Sequence, residues 1–166
     1  MVVHAPSNAH IKGTPLFESV LRKLDAEGLI QYRPVSGVPH SEMRALIRNA
    51  DIVVDQMRTG SYGVAACEAM AAGRVAIAHV SEEVRAKTAA LSGMALPVVE
   101  ADPVTLEEVL RGLVREPEKA LRFSEQGAAF VKHWHDGRES GRVLASWLDD
   151  ETPGGSAAGK SGEKQP

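Results

Sequence analysis

Residues 51–80 read Asp51-Ile52-Val53-Val54-Asp55-Gln56-Met57-Arg58-Thr59-Gly60-Ser61-Tyr62-Gly63-Val64-Ala65-Ala66-Cys67-Glu68-Ala69-Met70-Ala71-Ala72-Gly73-Arg74-Val75-Ala76-Ile77-Ala78-His79-Val80. Residues 51–55 hold a nearly continuous apolar run, the pattern of a strand covered on both faces. Residues 56–61 are polar and contain glycine, so they read as a loop. Residues 62–72 are rich in alanine and closed by Gly73, which predicts a helix small enough to lie close to a sheet. Residues 75–80 return to an apolar run. Strand, helix and strand in this order form a parallel crossover unit.

The same alternation extends in both directions. Val2-Val3-His4-Ala5 is a short strand stopped by Pro6, and residues 7–13 read as a loop. Thr14 is placed to cap a helix with Pro15 at its first position. Leu16, Phe17, Val20, Leu21 and Leu24 then share one helical face, and Gly28 ends the helix. Residues 29–35 read as a second strand, and Met43, Leu46 and Ile47 mark a helix ending near Asn49. Beyond Val80 a helix starts at Ser81, and residues 96–99 give a short strand. Asp102-Pro103 caps a helix with Leu106, Val109, Leu110, Leu113 and Val114 inward. Pro117 opens a stretch anchored by Phe123, Phe130 and Trp134. Asp136 and Glu139 have capping-box spacing for a last helix carrying Val143, Leu144, Trp147 and Leu148. Trp134 and Trp147 are expected in the core. The fold class is therefore α/β. It is a Rossmann-like parallel sheet of about five or six strands with helices on both faces, plus C-terminal helices. Residues 1–150 are expected to form one domain. Residues 151–166 carry no apolar side chain larger than alanine and are expected to be a disordered tail.

Composition narrows the function classes. The 166 residues are 43% hydrophobic and 25% charged, with a net charge of −3 and no basic stripe, which argues against a general nucleic-acid binder. A single cysteine, Cys67, excludes an intrachain disulfide. No apolar run is long enough for a membrane span, and no secretory signal is visible. The expectation is a cytoplasmic domain. His133 and His135 are two apart on a helix and so point different ways, and no other cluster has metal-ligand spacing, so no metal is expected.

In an open α/β sheet the ligand lies outside the carboxyl ends of the strands. Three loops qualify: residues 4–13, 55–62 and 79–82. The first ends in Lys12-Gly13-Thr14. A lysine beside a glycine before a helix suits an anionic oxygen, although a solvated lysine at a turn explains the same spacing. In the second, Gly60-Ser61-Tyr62-Gly63-Val64 leads into the alanine-rich helix, whose first N–H groups could hold a diphosphate without a metal. Glu68 lies within that helix and needs a polar partner: the vicinal hydroxyls of a ribose, or a salt bridge to Arg74. Asp55 contacts a ligand hydroxyl or caps the loop. His10 is the better ligand candidate of the two histidines flanking the first loop, and Cys67 reads as a small helix residue.

Taken together, His4-Ala5-Pro6-Ser7-Asn8 with Lys12-Gly13-Thr14, Ala50-Asp51-Ile52-Val53-Val54-Asp55-Gln56, and Tyr62-Gly63-Val64 with Glu68-Ala69-Met70-Ala71-Ala72-Gly73 resemble a known family. It is the C-terminal, nucleotide-sugar-binding domain of two-domain (GT-B) retaining glycosyltransferases, the "glycosyl transferases group 1". The likeness covers most of residues 1–149. It implies a donor such as a UDP- or GDP-sugar, with no cofactor. Lys12 and Gly13 would lie at the diphosphate, the Ser61, Tyr62, Gly63 and Val64 backbone would cradle it, and Glu68 would bind the ribose. His10, Asp55, Arg58 and Gly60 are further candidates, and no catalytic residue is assigned. The sequence departs from the family pattern in three ways. Gly60 stands where the first of two glutamates separated by seven residues is usual. The stretch Ser7-Asn8-Ala9-His10 lacks the family's arginine, leaving Lys12 alone or with Arg58. The chain begins at the first strand of the second domain, so the acceptor half is expected either as a partner chain or as the missing part of a truncated gene.

Three functional expectations follow. The chain is a glycosyltransferase-type donor domain, inactive in isolation and completed by an acceptor half. Alternatively, it is a non-catalytic nucleotide- or nucleotide-sugar-binding module, which would bind UDP and UDP-sugar equally. Or it is an inactive truncated fragment that binds no nucleotide.

Overall fold

The computed structural model describes residues 1–150; the expected tail at 151–166 lies outside the described residues. Thirteen elements follow in order: β1 (Val2–His4), α1 (Ala9–Lys12), α2 (Thr14–Ala26), β2 (Tyr32–Pro34), α3 (His40–Asn49), β3 (Ile52–Val54), α4 (Val64–Ala71), β4 (Val75–Ala78), α5 (Glu82–Ser92), β5 (Val99–Glu100), α6 (Leu106–Arg115), α7 (Pro117–Trp134) and α8 (Arg138–Asp150). The five strands form one parallel sheet in the order β2-β1-β3-β4-β5. Val3 lies opposite Arg33 on one side and Val53 on the other. The chain winds outward from β1 to β2, then returns past β1 and continues through β3, β4 and β5. The reversal puts the topological switch point between β1 and β3, where a parallel sheet opens a crevice for ligand.

Strand alternation divides the core into two layers. Val2, Ile52, Val54 and Ile77 face α2 and α6, packing with Phe17, Leu21, Leu24, Leu106 and Leu110. Val3, Val53, Ala76 and Ala78 face α3, α4 and α7, packing with Leu46, Ile47, Met70 and Phe130. On this second face small residues meet small residues: Ala66 and Ala69 of α4 are fully buried, as Ala78 of β4 is. Helix α4 is pressed from outside by α7. A Cβ at Gly127 would come within 2.9 Å of Met70 Cγ, so only glycine allows this approach.

Several expectations are corrected. Residues 9–12 form a helical turn rather than loop, because the Asn8 side chain accepts the His10 and Ile11 N–H groups at 3.0 Å. Thr14 is the first residue of α2, not its cap. Its hydroxyl is directed instead to His4 at 2.7 Å. The second strand shortens from 29–35 to Tyr32–Pro34, and the last moves from 96–99 to Val99–Glu100. Helix α4 begins at Val64, because residues 60–63 are drawn into side-chain contacts described below. Asp102 does accept the Val104 and Thr105 N–H groups, one turn ahead of α6. Leu16 and Val114 are exposed at the margins of their stripes. Trp147 is 58% exposed and does not join Trp134 in the core. Val143 and Leu144 of α8 are likewise more than half exposed, lining an open groove with Trp147, Leu91 and Trp134.

Candidate functional site

The carboxyl ends of β1 and β3 deliver the chain into the crevice. From β1 comes α1, ending in Lys12 and Gly13. Gly13 adopts φ +75°, and its N–H closes α1 while the chain turns into α2. A Cβ there would also press on Arg58 Cβ at 3.2 Å. Left-handed backbone and close approach both select glycine.

From β3 comes Asp55, whose side chain has no exposed surface. Lys12 Nζ donates to Asp55 Oδ1 at 2.5 Å. The Gly63 N–H donates to Asp55 Oδ2 at 2.7 Å. The Lys12 ammonium therefore lies against the peptide that starts α4. A Cβ at Gly63 would lie 2.9 Å from Lys12 Nζ and 3.0 Å from Asp55 Oδ2. Gly63 has φ −111° and ψ −175°, which any residue adopts, so it is close approach and not backbone conformation that favours glycine here. Of the two readings of Asp55, the structure shows the cap: it terminates the loop from a distance, in place of a capping side chain on α4 itself.

Gln56, buried beside Asp55, organises the rest of that loop. Its Oε1 accepts the Arg58 N–H at 2.8 Å and the Thr59 N–H at 2.7 Å. Its Nε2 donates to the Ser61 carbonyl and, at 2.7 Å, to the His79 carbonyl. All four hydrogen-bonding positions of the amide are used. Sequence reasoning passed over Gln56 as the start of a polar loop. Two adjacent polar residues directly after a buried strand were the available signal.

The remaining candidates fall into separate groups. Arg58 Nη1 donates to His10 Nε2 at 3.0 Å and to the His10 carbonyl at 3.3 Å, so this arginine is tied to α1 rather than to the Lys12–Asp55 pair. Gly60 takes φ +68°, and its carbonyl accepts the Ser81 N–H at 2.9 Å, joining the second crevice loop to the third. Ser61 is exposed and its hydroxyl meets the Tyr62 carbonyl. The Tyr62 side chain turns toward α7. Its hydroxyl pairs with His135 Nε2 at 3.2 Å, and its ring meets Phe130 and His135 edge-on. Burial raises the Tyr62 hydroxyl pKa. Only the backbone of Tyr62 belongs to the crevice. Val64 is 72% exposed, leaving the first turn of α4 open.

Glu68 lies about one turn beyond Val64 along α4. It lines a groove of about 570 Å³ with Ser41, Met43, Arg44, Ile47, Arg48, Ala71 and Ala72. Lys12 and Gly63 do not line this groove. Glu68 makes no ion pair among the described residues, so the expected alternative of a bridge to Arg74 is not formed. Arg74 Nε is itself buried without a partner. Cys67 is half-buried, and burial, with Asp55 and Glu68 nearby, pushes its thiol up to about 11, so it remains protonated near neutral pH.

The third loop is fixed by β5. Glu100 accepts from His79 Nδ1 at 2.7 Å, from the Val80 N–H at 2.9 Å and from Arg85 Nη2 at 2.8 Å. Burial alone would raise this carboxyl, but the Val80, Arg85 and His79 hydrogen bonds outweigh it and hold the pKa below its ordinary value. Under the first loop lies His4, 1% exposed. Its Nδ1 faces the Val54 carbonyl at 2.8 Å, which can only accept, so Nδ1 carries the proton. Nε2 then accepts the Thr14 hydroxyl. Burial lowers the His4 pKa and keeps the ring neutral. His133 and His135 contact different neighbours: the Ser92 carbonyl for the first, Tyr62 for the second. Among the described residues no group of three or more His, Cys, Asp or Glu could hold a metal. No helix among them is long and apolar enough to cross a membrane.

This sheet order, with a lysine and a helix start converging at its switch point, defines a Rossmann-like α/β domain. Residues 6–130 match the model of the family described as "Glycosyl transferases group 1", and the chain belongs to that family. No curated protein matches it.

Proposed function

We propose that this domain binds the nucleotide-sugar donor of a glycosyl transfer reaction. The diphosphate lies across Lys12 and the open first turn of α4, and the Glu68 carboxylate accepts hydrogen bonds from two ribose hydroxyls. One observation carries the reading: the ammonium of Lys12, arriving from β1, lies against the first peptide of α4, arriving from β3. A lysine ammonium and a helix start thus flank the crevice edge, with the Asp55 carboxylate between them. Glu68 supports it as a carboxylate without a protein ion pair. It follows Gly63 by five residues, a rise of about 7.5 Å along the helix, which suits the reach from a diphosphate to its ribose.

Chemically, the anomeric carbon forms a new bond to an acceptor hydroxyl oxygen, which gives up its proton, while the anomeric C–O bond to the phosphate breaks and its electron pair passes to the departing diphosphate. Charge grows on the phosphate oxygens as it does so. The N–H groups of the open first turn of α4 and those of Lys12 not engaged by Asp55 are placed to stabilise that charge without reorganising, and the Asp55 carboxylate offsets part of their effect. The acceptor would be supplied by a partner half, and turnover is expected only when that half is present. A non-catalytic module is the second reading, favoured by Gly60, which offers no side chain to the donor sugar. It predicts no preference among sugars on one nucleotide.

Thermal unfolding with UDP, GDP, ADP and their sugars tests the proposal. Ligand at a hundred times its Kd adds about 2.7 kcal/mol of stability. For a domain of this size that is roughly 5–10 °C. Glu68→Ala is expected to abolish the shift. No shift with any nucleotide, or an unchanged shift in E68A, would reject this site.

A further inference from the structure

We infer that Asp55 is a built-in counter-anion of the Lys12 site, and that it selects a sugar-esterified diphosphate over a free one. The inference rests on the donor-binding reading and adds a specificity-determining residue to it.

Lys12 and the Gly63 N–H are the donors that a ligand phosphate would use, and both are already engaged by one internal carboxylate. That carboxylate has no exposed surface and sits at the end of a core strand, so it cannot swing away. Its charge cancels that of Lys12 locally. His4 is kept neutral by burial and the Cys67 thiol is protonated, so neither adds a charge beside the pair, while the Arg58 guanidinium hydrogen-bonds to His10 on α1.

An incoming phosphate can reach the remaining N–H groups of Lys12 and the open turn of α4, but only beside Asp55. An oxygen accepting from Lys12 Nζ at ordinary hydrogen-bond length lies no more than about 5 Å from Asp55 Oδ1. At that range each added negative charge on the phosphate is opposed appreciably, because the pair is shielded from water. A sugar-esterified diphosphate carries one charge on each phosphorus. A free nucleoside diphosphate ends in a monoester phosphate carrying almost two at pH 8, since its second pKa is about 6. Asp55 thus weighs against the free nucleotide, which is also the leaving product of transfer. The site holds the donor and releases what remains of it.

The test is calorimetric titration of the full chain at pH 8 with two probe pairs, UDP with UDP-glucose and GDP with GDP-mannose. The wild-type protein is expected to bind the sugar ester at least as tightly as the free diphosphate. In Asp55→Asn the free diphosphate should tighten on the order of tenfold relative to its sugar ester, the effect of one unit charge at this distance in a partly shielded site. Asp55→Ser, whose hydroxyl can still accept the Gly63 N–H, should move the ratio the same way and serves if D55N folds poorly. A wild-type protein that prefers the free diphosphate tenfold or more overturns the inference without recourse to either variant. So does a ratio unchanged in both variants. If E68A abolishes binding while the ratio ignores Asp55, the donor site stands and this inference falls. If no probe binds, both fall together.

Discussion

Gly63→Ala is the sharpest test of the geometry at the crevice. Alanine tolerates the Gly63 backbone angles, so the substitution adds no conformational strain. Its methyl group would instead sit 2.9 Å from Lys12 Nζ and 3.0 Å from Asp55 Oδ2. Asp55 is held by β3, whereas the lysine chain is flexible and 19% exposed, so Lys12 is the group that yields. Its withdrawal leaves a buried carboxylate with one backbone N–H as its remaining partner. Breaking a fully buried pair costs about 3–5 kcal/mol. With Lys12 partly in water, the expected loss is about 2–3 kcal/mol, or roughly 5–10 °C in Tm. Urea unfolding of G63A, K12A and the double variant measures it. Because the collision is with the lysine, G63A should cost much less in the K12A background than alone. A loss below about 0.5 kcal/mol in G63A, or full additivity in the double variant, would refute the reasoning.

Two further outcomes concern the buried polar groups. His4 is neutral in the folded protein and its pKa is lowered by burial, so the unfolded chain takes up the proton first. Stability should therefore be complete above about pH 6.5 and decline as pH falls below it, until the folded ring titrates too. Urea midpoints at pH 7.5 and 5.5 should show a drop that shrinks in His4→Gln. An identical drop in the variant would assign it elsewhere, with His135, also lowered by burial, the next group to examine. Gln56→Leu removes four hydrogen bonds from one buried side chain, and a loss of about 2–4 kcal/mol is expected. Hydrogen exchange at Arg58 and Thr59, whose N–H groups lose their acceptor, should quicken while Val53 in β3 stays protected. Unchanged exchange at both would show that the loop holds itself.

Much of the fold can be read along the chain because it is written in periodicities. The apolar runs around Val3, Val53 and Ile77 become neighbouring strands, and the small residues from Ala66 to Ala72 mark the helix that lies against them. The helical stripe of Phe17, Leu21 and Leu24 is buried as spaced. The reading failed where local chemistry competed with pattern. Thr14 has the composition of a cap, but a buried histidine ten residues earlier takes its hydroxyl. Trp147 has the composition of a core residue, but it stays more than half exposed, lining an open groove with Leu91 and Trp134.

The candidate site divides in the same way. Lys12, Asp55 and Gly63 each stand out as a residue type at a strand or helix end, and the order of strands and helices alone points to their three loops. That Asp55 draws in Lys12, 43 residues away, that Gln56 ties its loop to His79, and that Tyr62 turns toward α7 are consequences of contacts across long stretches of chain. The sequence by itself determined the class of fold and the residue types that stand at the carboxyl ends of its strands. The tertiary structure decided which charges meet and which stay unpaired. Periodicity is a property of neighbours in the chain, whereas a charge acts on whatever packing brings within a few ångströms of it.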